Sequence, residues 1–130
     1  MIGKIEDLPL RELVAKSTGE RLSIARSLSD FAGTETLLVH QEVIPPGRRT
    51  AAAHVHSLKE EIFLVASGTP SVWIEGEVTQ LAPGDFVGFS AHEPKAHMLL
   101  NLSNEPAVVL TMGTNPPDDE IAFVQTEREG

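Results

Sequence analysis

His54 and His56, one residue apart, then Glu61, then a distant His97, are the residues whose types and spacing could do chemistry. In an extended strand, residues two apart project to the same face, so His54 and His56 present their imidazoles side by side. Glu61 follows after a gap long enough for a turn, and His97 lies in a second strand-like run from Ala96 to Asn101. Three neutral imidazoles and one carboxylate make a good donor set for a divalent transition metal, with positions left for water or substrate. Glu60 is the rival to Glu61. Strand phase favours Glu61 and leaves Glu60 as a solvated neighbour.

The elements that must position these residues are mostly short strands. Residues 8–16 are expected to hold a short helix entered through Pro9, with Leu10, Leu13 and Val14 on one side. After Gly19 the pattern alternates from Leu22 to Leu28, and Gly33 marks a turn. Thr36 to Ile44 is rich in β-branched and aliphatic residues and stops at Pro45-Pro46-Gly47. Further strands are expected at 51–56, 61–66, 71–75, 77–81, 85–89, 96–101 and 107–112. Turn residues separate them, among them Ser67-Gly68-Thr69-Pro70 and Pro83-Gly84-Asp85. Ile121 to Val124 is expected to add an edge strand or an arm. Many short strands with Gly/Pro turns and few helices point to an all-β sandwich or barrel.

The composition narrows the function. At 130 residues, with 41% hydrophobic and 22% charged residues, the chain reads as one soluble globular unit able to bury a core. No apolar run approaches the length of a membrane span, and no basic stretch followed by an apolar core opens the chain. The absence of cysteine excludes disulfides and thiolate chemistry and fits a cytoplasmic setting. A net charge of −9 argues against nucleic acid and an anionic membrane. A small molecule or a protein partner remains.

The residues resemble the cupin family at two motifs. Gly47, His54, His56, Glu61 and Gly68 match the first, and Pro83-Gly84-Asp85, His97 and Asn101 the second. The resemblance implies a jelly-roll β-barrel (double-stranded β-helix) over residues 36–113. Residues 1–35 would form an N-terminal arm, with a short helix and a first strand, and 114–130 a tail. It also implies that His54, His56, Glu61 and His97 hold a Zn, Mn, Fe or Ni ion, and that the chain pairs as a homodimer. The apolar outer faces of Ile62/Leu64 and Met98/Leu100 would suit such pairing. Two departures stand out: Gly47 sits one residue further from His54 than usual, and the loop Ser90 to Ala96 is about two residues longer.

Oxygenases, isomerases, decarboxylases and lyases all occur on this fold, so the expected activity is metal-dependent chemistry on an unidentified small organic molecule. The alternatives are a non-catalytic module that binds a small ligand and a purely structural metal site. Around the centre, the amide of Gln41 is a candidate for the metal's open side and His92 for an acid/base at the pocket mouth. Arg48-Arg49 reads as a solvated turn, with capture of a ligand carboxylate or phosphate as the other reading. His40 and Trp73 read as packed residues, and Asn101 as the holder of a turn.

Overall fold

The computed structural model describes residues 1–126. Strand-forming stretches and turn residues alternate to give eleven strands among the described residues. A hairpin of β1 (Arg11–Val14) and β2 (Arg21–Ser27) comes first, followed by the short helix α1 (Leu28–Ala32) and β3 (Leu37–Ile44). Next come β4 (His54–His56), β5 (Glu61–Ser67), β6 (Ser71–Ile74), β7 (Glu77–Gln80) and β8 (Phe86–Phe89). The last three are β9 (His97–Leu100), β10 (Ala107–Thr114) and β11 (Ile121–Phe123).

These strands form two antiparallel sheets, one in the order β1-β2-β3-β10-β5-β8 and the other β11-β4-β9-β6-β7. This is the jelly roll that the sequence implied. The side-chain period of two puts Ile44, Phe63, Val65, Leu99 and Val109 into one apolar core cluster, with Phe63 and Phe89 in edge contact.

The N-terminal segment departs from expectation. Only Ile5–Asp7 is helical here, as a single 3₁₀ turn, and residues 8–16, expected to hold a short helix, contain β1 instead. A helix of two or three turns is marginal by itself. The hairpin instead satisfies this backbone across β2, with Arg11 opposite Ala25, and Gly19 at φ 74° closes it. The helix that does form, α1, follows β2 directly. Ser27 Oγ accepts from Asp30 N at its start, and Gly33 ends it at φ 75°.

The outer face of β9 also differs from expectation. Met98 and Leu100 are covered within the chain, where they cluster with Ala53 against Trp73 and Val124. Trp73 therefore packs on the outer side of its sheet and does not line the barrel. The C-terminal run does add an edge strand: β11 pairs with β4, setting Ile121 opposite His56 and Phe123 opposite His54. The last four residues of the expected tail, 127–130, lie outside the described residues.

Asn101 ties the end of β9 to two neighbouring turns. Its Nδ2 donates to Ile44 O at 2.8 Å and Glu105 O at 2.7 Å. Its Oδ1 accepts from Ser103 N at 3.0 Å and Ser103 Oγ at 2.6 Å. The residue is fully buried, so truncation would leave carbonyls without donors. Asn101→Ala is expected to destabilise the fold by about 1–3 kcal/mol, read as a lower urea midpoint at unchanged slope. An unchanged midpoint would contradict the role given to this amide.

Candidate metal centre

The antiparallel register brings distant parts of the chain to one point. His54 sits directly opposite His97 across β4 and β9. Glu61, at the start of β5, reaches the same point from the facing sheet. The ligand atoms of His54, His56 and Glu61 lie within 4.8 Å of one another, a group that could hold a metal ion. His97 joins them through Nε2, 3.2 Å from Glu61 Oε1, and His56 Nε2 is also 3.2 Å from that oxygen. The His97 ring stacks on Phe89 at 3.6 Å between centroids and 10° between planes, which fixes its plane.

Each imidazole is held from behind. His54 Nδ1 donates to Ala52 O at 2.7 Å, and His97 Nδ1 donates to Lys95 O at 2.8 Å. His56 Nδ1 donates to Asp119 Oδ2 at 2.7 Å. A carbonyl oxygen can only accept, so Nδ1 of His54 and of His97 must carry the proton, and Nε2 of each neutral ring presents a lone pair. The His97 lone pair then faces a carboxylate oxygen, acceptor against acceptor. A cation between them removes the conflict, and orientation of ligating histidines by a second hydrogen bond is the usual arrangement at metal centres. The donor set therefore fits a divalent transition metal.

Electrostatics follow from the same contacts. Burial pushes the Glu61 carboxyl upward, but without an ion the imidazoles of His56 and His97, which can donate to it from Nε2 once protonated, outweigh burial and hold the group well below the usual carboxylate range. The His56 imidazole is raised, first by Glu61 and then, against burial, by Asp119. Burial lowers His54. For Asp119, burial is outweighed by the backbone N–H groups of Leu58 and Lys59 and by His56, which hold it at about 2.

His54, His56 and Glu61 open onto a cavity of about 230 Å³, bordered also by His40, Glu42, Lys59, Phe63 and Thr111. Sequence reading missed Asp119, although the edge strand beyond it was visible. It also missed Glu42, a buried carboxyl that accepts from Ser23 Oγ at 2.6 Å and that burial pushes up. The signal for Glu42 was its strand phase with His40.

Other candidates fall elsewhere. Gln41, between His40 and Glu42 on β3, faces the opposite side of the sheet, where its Oε1 lies 3.4 Å from Arg26. A single-residue step in a strand reverses the face, which removes it from the metal's open side. His92 is exposed in its loop. Arg49 is neither solvated nor open to a ligand: it is buried and grips Glu20 through two hydrogen bonds, 2.7 and 2.9 Å. Arg48 donates to Leu22 O at 3.4 Å.

In chelator-treated protein, the His56 resonances are expected to titrate above the ordinary histidine range, and Glu61→Gln should bring the midpoint down. An NMR titration that finds His56 at or below the ordinary range would contradict this geometry.

Comparison with known proteins agrees with the architecture. A family model described as Cupin domain matches residues 40–113. A protein of Acidithiobacillus ferrooxidans, provisionally assigned as a sugar phosphate isomerase, is 33% identical with a TM-score of 0.74. The match covers 78% of this chain but only 64% of that one, just under two thirds of its length. A sugar phosphate isomerase of the cupin superfamily from Silicibacter pomeroyi has a TM-score of 0.84 at 22% identity, covering 95% and 82% of the two chains. The polyketide cyclase RemF of Streptomyces resistomycificus has a TM-score of 0.74 at 18% identity, covering 99% and 88%. These last two likenesses are of fold alone. No curated protein matches the sequence. From its family match and its two-sheet architecture, the chain belongs to the cupin domain family.

Proposed function

We propose that the protein is a metal-dependent enzyme that acts on a small organic molecule. His54, His56 and His97 through Nε2, and Glu61 through its carboxylate, would hold a divalent ion such as Zn, Mn, Fe or Ni. The observation that carries this reading is the convergence of four donors whose histidines are tied back at Nδ1, beside an open cavity. Such an ion would act as a Lewis acid on a substrate oxygen. The chain's own residues would orient the donors, exclude water behind Phe63 and Phe89, and offer Glu42 as a proton-holding group on the cavity wall. Among isomerase, lyase and oxygenase chemistry, isomerisation is placed first, because the relative at 33% identity carries a sugar phosphate isomerase assignment. A closed structural metal is disfavoured by the cavity beside the donors.

Elemental analysis of untagged protein is expected to find about one metal ion per chain, lost in the His54→Ala, His97→Ala double variant. Equal metal in both proteins would sink the proposal.

We further propose that the protein is a cytoplasmic homodimer. The outer face of the six-stranded sheet supports pairing, since it leaves Ile62 at 47% exposure and Phe86 at 70%. Light scattering is expected to give twice the chain mass, and a value near 14.0 kDa would refute the dimer.

A further inference from the structure

Lysine is a strongly hydrated cation that resists burial unless its charge is compensated. Lys59 is half-buried on the wall of the metal-site cavity, yet its ammonium has no carboxylate within ion-pair distance among the described residues. Its charge nevertheless acts on His40, Glu42 and Glu61, three groups spread around that cavity.

Two features hold it there. Lys59 N donates to Asp119 Oδ1 at 2.8 Å, and the other oxygen of the same carboxylate accepts from His56 Nδ1. The root of the lysine and a metal-donor imidazole are thus fixed by one group. Its side chain then crosses β10 at Gly113. A Cβ at that position would lie 2.9 Å from Lys59 Cε and 3.0 Å from Glu60 O, so glycine leaves the channel the lysine occupies.

We propose that Lys59 is the anion-binding residue of this site and that the molecule taken there is a small oxyanion, a carboxylate or a phosphate. Its anionic group would lie on the ammonium and a second oxygen would point at the histidine and glutamate donors. The inference builds on the metal-site reading: a divalent ion with Glu61 as its one anionic donor keeps positive charge, and Lys59 adds to it. In a chain of net charge −9, that is a local reversal of sign that selects an anion. A cavity of about 230 Å³ limits the ligand to a small molecule.

The test is calorimetric titration of inorganic phosphate and of glycolate into protein carrying one equivalent of Mn(II), and into the chelator-treated protein. Lys59→Met is expected to weaken anion binding at least about tenfold while Mn(II) is still bound, at least as tightly as by the wild type because a neighbouring positive charge is gone. Lys59→Arg should restore most of the loss. Gly113→Ala should weaken anion binding with the charge still present, with retained Mn(II) binding showing that this variant is folded. Whichever probe binds more tightly names the oxyanion. Equal anion affinity in wild type and Lys59→Met, or no anion binding by the wild type, would overturn the assignment. Absence of a Mn(II) site, with Lys59-dependent phosphate binding retained, would remove the metal reading alone and leave Lys59 in its role.

Discussion

Three imidazole nitrogens and a carboxylate oxygen converge on one point, and much of this structure can be read as the means of holding them there. Lone pairs and negative charge repel one another, so such a cluster persists only if each member is fixed from outside. Here every histidine is anchored at Nδ1, two by carbonyl oxygens of their own loops and one by Asp119. Phe89 adds a flat apolar support behind His97. Side chains fixed in this way form a preset group that could hold a metal ion.

Asp119 shows how far this support reaches. It lies in the turn before β11, an edge strand that would be marginal alone and is held by pairing with β4. Through this pairing the carboxylate receives the backbone N–H groups of Leu58 and Lys59 as well as the imidazole of His56. One short C-terminal strand therefore organises both the His56 imidazole and the loop that carries Glu61. The opposite end of the chain contributes differently. The β1–β2 hairpin lengthens the six-stranded sheet and brings Ser23 to the buried carboxyl of Glu42.

Most strands were legible because their alternation is local, and Gly and Pro mark the turns between them. The pairing of His54 with His56 was legible for the same reason: they share a strand face whatever the fold around them. Residues 10–14 were misread because Leu10, Leu13 and Val14 fit a helical spacing as well as a short strand. What settled the matter was a hydrogen-bonding partner at residues 21–25, which no local pattern reveals. Gln41 was misplaced because its candidacy rested on proximity in sequence to His40, whereas in a strand neighbours point apart. Arg49 was misjudged because its partner, Glu20, lies far away in the chain.

The sequence by itself determined the all-β architecture and offered a candidate donor set with Glu61 preferred to Glu60, from strand periodicity and the family resemblance. Only the tertiary structure decided which groups stand behind and beside those donors. Asp119 behind His56, Phe89 against His97, and Glu42 and Lys59 on the cavity wall come from strands and loops far apart in the chain. Their meeting depends on register between strands, and register is a property of the folded sheets that no single stretch of sequence encodes.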